Sequence, residues 1–283
     1  MKSTIFAWTI VSFVTLSCTR SVSNVTIGFG SCNEPEGGTT AILPTLQNSL
    51  DTLDYFIWLG DNLYFREQDW QSGEAMQARY EEVFSNETYG ALFSRSQHRA
   101  VWDDHDAGPN NCDSTFSGIA DAMNAFKAFW KPNYPMADAR SYYGSEVLAD
   151  GFVELYYLDN RSFRAPVDSA HATVLGKKQM NWFRQAYLNS KAKVKVVLLG
   201  GQLLNTAALF ENMALFPEER AELMEIIAQP NSLNLVLTGD RHSGEINRWE
   251  NAQGVIVEAT ASPLTARAFP HHKARNMNRR HHN

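Results

Sequence analysis

Acidic and histidine side chains directly follow several apolar runs of this sequence. Asp61 follows one run, and Asp240 and His242 follow another. A third run leads into residues 103–106, which are three aspartates and one histidine. Carboxylates gathered at one place repel each other unless protons or cations compensate their charge. The sequence therefore predicts a cluster of ligands for metal ions.

Two cations that share a carboxylate are suited to phosphoryl chemistry. They bind phosphate oxygens, generate a hydroxide nucleophile and offset the charge on the leaving oxygen. Asp61 is the candidate bridge, while Asp240 and His242 would reach different ions from one strand end. A histidine that binds no metal would protonate the leaving group. Each aspartate taken singly is equally well explained as a helix cap or a turn residue.

The apolar runs predict the strands that position these residues. They lie at residues 25–29, 55–59, 153–158, 194–199 and 233–237, with a shorter run at 100–102. Their continuous apolarity indicates sheets covered on both faces. Helical spacing is found at residues 121–130, 177–190 and from Pro217 to before Pro230. This alternation predicts an α/β protein whose ligands gather beyond the carboxyl ends of strands, with the turn-rich residues 107–118 as a rim or lid.

The overall charge excludes one class of partner. The chain has 25 Lys and Arg against 31 Asp and Glu, a formal net charge of −6. We therefore expect no specific binding of nucleic acid. An anionic substrate must be met by local positive charge from a side chain or a cation.

Residues 1–18 have the pattern of a signal peptide. Lys2 precedes an apolar run, residues 5–16, that is too short to span a bilayer. Cys18 then resembles the lipidated first residue of a bacterial lipoprotein, and ordinary cleavage near the same place is the alternative. In both cases we expect an exported protein, in the periplasm or at the outer membrane, that contacts a membrane only through a lipid anchor.

Five short strings resemble, in order, the alkaline phosphatase D (PhoD-like phosphatase) family, a branch of the calcineurin-like metallophosphatases. They occupy residues 29–33, 59–64, 101–106, 158–161 and 238–242. The resemblance implies a metallophosphatase-like domain over residues 24–266 with a four-layer α/β/β/α sandwich. It also implies hydrolysis of small phosphate diesters or monoesters by a metal-activated hydroxide at an Fe³⁺ and Ca²⁺ centre, with other divalent metals as an alternative. Residues 267–283, basic and rich in histidine, are expected to form a solvated tail.

The same resemblance assigns roles to individual residues. It implies a ferric-type site whose ligands are Cys32, Asp61, Tyr64 and His242. It implies a second site whose ligands are Asp104 and Asp240, completed by Asn111 or Gln202. It implies catalytic roles for His105, which would protonate the leaving oxygen, and for Asn33 and Arg161, which would contact phosphate.

Cys32 has a second interpretation. In an oxidising compartment it would form a disulfide with Cys112 instead of offering a thiolate to a metal. The position of Cys32 after a predicted strand favours the metal ligand.

Arg161 also has a structural interpretation, in which it pairs with Asp103 or Asp159 as part of the scaffold. His98 and His171 have no comparable neighbours, and we expect both at the surface.

Two other functions remain open. A metal-free serine esterase is suggested by residues 60–62 and by a triad of Ser31 with His242, although the nucleophile position holds Asn62. A truncated, catalytically weak surface lipoprotein of the same fold is the other, because family members usually continue into further strands beyond residues 262–265.

Overall fold

The structure is a computed structural model that describes residues 24–170, 172–209, 211–261 and 263–269. The predicted signal peptide with Cys18, His171 and most of the predicted tail lie outside these residues. Within the described part of the chain, no helix is long and apolar enough to cross a membrane.

The smaller sheet consists of three parallel strands in the order β1-β2-β3. They are β1 (Ile27–Gly30), β2 (Tyr55–Leu59) and β3 (Gln97–Val101). The connecting segments hold the helices α1 (Leu43–Leu50), α2 (Gly73–Phe84), α3 (Glu87–Phe93), α4 (Asp104–Ala107) and α5 (Ile119–Trp130). The central strand β2 is apolar throughout and buried over its last four residues, as expected for a strand covered on both faces.

The larger sheet has six strands in the order β4-β5-β6-β7-β9-β8. They are β4 (Gly144–Leu148), β5 (Val153–Tyr157), β6 (Val194–Leu199), β7 (Leu233–Thr238), β8 (Glu245–Glu250) and β9 (Val255–Thr260). The four inner strands are parallel, while β4 and β8 pair antiparallel at the two edges. The helices α6 (Gly176–Asn189) and α7 (Pro217–Ile227) accompany this sheet.

Side chains of the inner strands alternate between two cores. Leu155 and Leu198 pack in the core shared with the smaller sheet and its helices. Tyr156 and Val197 point the other way, into a core with Phe183 of α6 and side chains of α7. The molecule is therefore an α/β sandwich of helices, small sheet, large sheet and helices, which confirms the predicted fold.

His98 departs from its prediction. It lies partly buried in β3, where its Nδ1 accepts a hydrogen bond from Trp58 Nε1 at 3.0 Å and its Nε2 donates to the carbonyl of Leu92 at 3.1 Å. Burial lowers the pKa of His98 to about 4. The expected surface position was wrong, because a histidine with both ring nitrogens bonded fits an apolar layer well.

Candidate metal centre and active site

The predicted ligands follow strands of both sheets at one edge of the sandwich. Cys32 follows β1, Asp61 follows β2, and Asp104 begins α4 just after β3. Asp240 and His242 follow β7 of the larger sheet. Side chains far apart in the sequence therefore meet where the carboxyl ends of parallel strands converge.

Two glycines allow the strand ends to come this close. Gly60 has φ +87°, and a Cβ atom there would lie 2.6 Å from Asp103 Cβ. A Cβ atom on Gly239 would lie 2.3 Å from the carbonyl oxygen of Leu59. A larger residue at either position would push the connections apart, so each following aspartate is held on a stiff turn.

The backbone around the site is unusual. Five candidate ligands have left-handed φ values: Cys32 54°, Asp61 50°, Asn111 63°, Asp240 68° and His242 51°. Residues other than glycine rarely adopt this region, and each costs on the order of 1–3 kcal/mol. Such a concentration at one place is typical of a functional site that the surrounding fold holds in place.

One group of donors surrounds Cys32. Its Sγ, an Asp61 carboxylate oxygen and a His242 ring nitrogen lie within 4.8 Å of one another. The Tyr64 hydroxyl lies 3.3 Å from Asp61 Oδ2 and 3.3 Å from His242 Nε2. The predicted thiol, carboxylate, phenol and imidazole thus face a common point. When they lose their protons, Cys32 and Tyr64 become a thiolate and a phenolate, which are anionic donors that suit a trivalent ion.

His242 is oriented by the segment after β9. Its Nδ1 lies 2.6 Å from the carbonyl oxygen of Arg267, and its ring stacks on Phe269 at 4.6 Å between centroids. Because a carbonyl oxygen only accepts, Nδ1 carries the hydrogen. The lone pair of Nε2 is then free to bind a metal on the side of Tyr64 and Asp61.

A second group of donors shares Asp61. Carboxylate oxygens of Asp61 and Asp104 and a ring nitrogen of His105 lie within 4.8 Å of one another. The backbone N–H of His105 donates to Asp61 Oδ1 at 3.4 Å, and that of Asn111 donates to Asp104 Oδ2 at 2.7 Å. The His105 ring also packs on Tyr64 at 4.0 Å between centroids. Asp61 is therefore placed to bridge the two groups.

The charges at this edge are poorly compensated by the protein alone. Asp240 is partly exposed, but its Oδ2 is buried and has no hydrogen-bond partner among the described residues. Burial, followed by repulsion from Asp103 and Asp104, raises the pKa of Asp240 well above its usual value. Burial and the carboxylate of Asp104 do the same for Asp61. An orphaned buried oxygen among carboxylates is what cations would satisfy, so these residues fit the metals that the resemblance implies.

Arg161 lies behind the ligands. It is buried, donates through Nε to Asp103 at 2.6 Å and pairs with Glu211 at 2.8 Å. Its Nη1 donates to the carbonyl of Cys112 at 3.0 Å, and its Nη2 is 3.8 Å from Asp104. These contacts match its structural interpretation, and its contact with phosphate stays a prediction.

Asn33 is similarly engaged. It is fully buried, and its Nδ2 donates to the carbonyl of Asn62 at 3.0 Å. Its Oδ1 accepts from the hydroxyls of Tyr89 at 2.5 Å and Thr265 at 3.0 Å. The structure places Asn33 beside the donor groups, and its contact with phosphate also stays a prediction.

The two candidates for completing the second site lie in different places. Asn111 lines the cavity above the donors. Gln202 is fully buried and turns toward the larger sheet, where its Nε2 donates to Glu245 at 2.9 Å and Thr260 at 2.8 Å.

The alternative disulfide does not form, and the thiols of Cys32 and Cys112 are both buried and reduced. Cys112 Sγ lies 3.5 Å from the carbonyl oxygen of Asp104, to which it donates. Burial raises the pKa of Cys112 to about 12, which keeps this thiol protonated.

The serine-esterase alternative has no support in the geometry. Ser31 is fully buried and donates its hydroxyl to the carbonyl of Ala261 at 2.6 Å. His242 Nε2 faces Tyr64 instead. The Asn62 amide donates to the carbonyl of Val101 at 2.9 Å and stabilises the fold.

A cavity of about 700 Å³ opens over the donor groups. Asn110, Asn111 and Asp113 from the turn-rich loop form part of its rim, as predicted. Arg164 and Glu211 also line it, with Arg164 Nη2 donating to the carbonyl of Glu211 at 2.7 Å. The sequence does not indicate this pair, because neither residue stands at the end of an apolar run.

Comparison with known proteins gives a consistent result. A family model described as PhoD-like phosphatase matches residues 27–283. The solved structure of PhoD is similar with a TM-score of 0.69 and 18% identity, covering 85% of this chain and 56% of that chain. GAP50, the anchor in the inner membrane complex of Plasmodium, gives a TM-score of 0.49 and 13% identity, covering 83% of this chain and 70% of that chain.

The chain thus spans little more than half the length of the PhoD structure, and at this identity that likeness shows the fold alone. A comparison of the sequence with curated proteins finds no match. Because the family model covers most of the sequence, the chain belongs to the PhoD-like phosphatase family.

Proposed function

We propose that the protein is a metal-dependent phosphoesterase that hydrolyses small phosphate diesters, monoesters or both. The observation that carries this proposal is the position of Asp61, whose carboxylate belongs to two donor groups, each within 4.8 Å. Two cations that share one carboxylate suit phosphoryl chemistry. Membership of the PhoD-like phosphatase family supports the same activity.

The two donor groups differ in chemistry, which supports different metals. Cys32, Tyr64 and His242 offer sulfur, phenol oxygen and nitrogen to one ion, the set that we assign to Fe³⁺. Asp104 of the other group and Asp240, which lies outside both groups but lines the same cavity, offer oxygens to the second ion, which we assign to Ca²⁺, with other divalent ions as the alternative. When bound, the two cations supply Lewis acidity toward the phosphate oxygens and the attacking water.

The side chains around the donors have separate tasks in this scheme. His105 lines the cavity, and we propose that its imidazole gives a proton to the leaving oxygen. Arg161 compensates Asp103 and keeps Asp104 facing the cavity, while Asn33 ties the turns after β1 and β2 together. We propose that Arg161 and Asn33 act by positioning the ligands.

Substitution of the bridging residue tests the proposal. In Asp61→Asn we expect loss of both metals and no measurable turnover of chromogenic phosphodiesters or phosphomonoesters, with folding retained, because a neutral amide cannot hold two cations together. Elemental analysis and turnover are measured on the same preparation. Asp51→Asn, at an exposed aspartate outside the site, is the control. An Asp61→Asn protein that keeps most of its metal and activity would overturn the two-metal scheme.

For the location of the protein we propose export and anchoring through a lipid on Cys18, which lies outside the described residues. The supporting observation is the apolar run before this cysteine. In cell fractionation, Cys18→Ala should move the protein from the membrane fraction to the soluble or unprocessed form. An unchanged distribution together with unchanged processing would contradict the lipid anchor.

A further inference from the structure

The cavity over the donor groups has two unlike sides. Its floor is formed by ligand-type side chains, among them Asp61, Asp104 and Asp240. Segments that follow β5, β6 and β9 add apolar side chains to the lining. We call these side chains the apolar wall, and they are Pro166, Val167, Leu209, Leu215 and Phe269.

Three side chains of the apolar wall are unusually exposed for their size. Val167 is 45% exposed, Leu209 45% and Phe269 41%. Single exposed apolar residues are ordinary on a protein surface. These three come from separate segments, after β5, β6 and β9, and they line one concave surface beside the candidate reaction centre. A concave apolar surface with a few polar groups nearby is typical of a site for an apolar ligand group.

The remaining rim of the cavity disfavours a second anionic group on the substrate. Asp113 and Glu211 line the cavity, and Arg164, the basic residue among the described lining, is 3% exposed and bonded to Glu211. A further phosphate or carboxylate at the rim would meet the carboxylate of Asp113, while Arg161 and Arg164 are already engaged by Glu211. The apolar wall cannot hydrogen-bond a sugar hydroxyl either.

We propose that the substrates are phosphate esters with one uncharged apolar alcohol substituent, alkyl or aryl, which packs on the apolar wall while the phosphate meets the donor groups. This inference rests on the proposed phosphoesterase function. We assign a substrate group to the apolar wall because the wall and the donors belong to one cavity of about 700 Å³, a size that suits a small ligand.

A series of p-nitrophenyl alkyl phosphodiesters, from methyl to hexyl, tests the proposal on the metal-loaded full chain. The leaving group stays p-nitrophenolate throughout, so the chemical step changes little along the series. We expect kcat/KM to rise with each added methylene by up to about fourfold, the ratio for full burial of one methylene, mainly through a lower KM.

Substitutions in the wall locate the effect. Leu209→Ser and Val167→Ser should each reduce the increase per methylene to about half on a logarithmic scale. Leu188→Ser is a matched control, because Leu188 on α6 is 46% exposed and lies outside the cavity. Leu188→Ser should keep the full increase of kcat/KM per methylene. A full increase in both wall variants as well would overturn the proposal.

The remaining outcomes separate this inference from the proposed function. If no ester in the series is hydrolysed, the phosphoesterase function fails and the inference falls with it. Equal kcat/KM for all alkyl groups would leave the function standing and reject the apolar site. If kcat/KM rises steeply with alkyl length only after removal of residues 270–283, that segment is the occupant of the apolar wall in the full chain. If the wild type is a dimer and Leu209→Ser is a monomer, the occupant of the apolar wall is a second copy of the chain. Either result would overturn the proposal.

Discussion

Cys32 and Cys112 show how the surroundings decide the role of a side chain. Both are buried thiols, yet Cys32 Sγ lies 3.6 Å from Asp61 Oδ2, within a donor group, while Cys112 Sγ donates to a backbone carbonyl. Sequence position indicated this difference, because Cys32 follows a strand and Cys112 lies in a turn-rich loop. The absence of a disulfide removes the competing interpretation.

The two cysteines should therefore respond differently to substitution. We expect Cys32→Ser to deplete the metal of the thiolate site and to remove any thiolate charge-transfer absorption, because serine keeps the size but loses the thiolate. Cys112→Ser should keep both metals, since a hydroxyl can donate to the same carbonyl. Elemental analysis and absorption spectra measure both. Equal metal loss in the two variants would show that neither thiol is a specific ligand.

His105 is predicted to act on the leaving group and not on metal content. In His105→Ala we expect metal content near normal and a fall in turnover of about 10²-fold or more, the usual scale for a lost general acid. The fall should be smaller for esters with very acidic leaving groups, which depart without a proton. Turnover is measured along a series of leaving groups with one fixed substituent. Equal losses along this series would exclude the role.

The positions of the candidate ligands after strands were largely predictable, and the residues that support them were less so. Asp61 and Asp240 were indicated because each stands after an apolar run and a glycine. The Arg161, Asp103 and Glu211 cluster depends on loops after three strands coming together in space. The pairing of Arg161 with Asp103 was one of the alternatives that the sequence offered, whereas nothing in the local sequence indicates Glu211 as its second partner.

At the scale of elements, strands with continuous apolar runs were predicted and strands with mixed faces were missed. β2 and β6 are buried on both faces, and their continuous apolar runs predicted them as strands. β8 is an edge strand in which Ile246 is 71% exposed, and β9 contains the fully buried Glu258. Helix α2 was missed for a similar reason, since its buried side includes Arg79.

Glu258 joins two elements of the larger sheet to the loop after β6. Its carboxylate accepts from the backbone N–H groups of Leu203 at 2.5 Å and Leu204 at 3.2 Å, and from Asn247 Nδ2 of β8 at 3.3 Å. Burial nevertheless dominates and raises the pKa of Glu258 to about 7. The folded protein therefore holds this proton more tightly than the unfolded chain does.

This proton predicts a specific pH dependence of stability. The contribution of Glu258 is fully present below its unfolded pKa of about 4.5 and is lost as pH rises through about 7, a change on the order of 3 kcal/mol. Glu258→Gln should remove this pH dependence. The free energy of unfolding of the variant should therefore rise by that amount relative to the wild type between pH 4.5 and pH 8. Denaturant unfolding across this range measures the difference.

The control for charge alone is Glu250→Gln, an exposed glutamate on β8. It should leave the slope of the wild type in place. A constant difference between the wild type and Glu258→Gln at every pH would contradict the prediction.

At the scale of the whole molecule, the donor groups join the two halves of the sandwich and also repel each other. Asp61 and Asp104 follow strands of the smaller sheet and are buried, while Asp240 follows β7 of the larger sheet and is partly buried at the same edge. Without cations these like charges oppose the packing of the two sheets. The site that we propose for function should therefore also govern stability.

Removal of cations tests this link. Cations present at about 1,000 times their Kd should stabilise the fold by about 4 kcal/mol, because they bind the folded state and not the unfolded chain. For a chain of this length we expect the melting temperature to fall by roughly 8 °C when a strong chelator is added, measured by scanning calorimetry. Asp61→Asn should be more stable than the wild type in chelator, since it carries one buried charge fewer, and it should gain less from added cations. Asp51→Asn should respond as the wild type does. Equal melting temperatures with and without chelator would mean that the carboxylates tolerate one another without metal, and the charge argument for the site would fail.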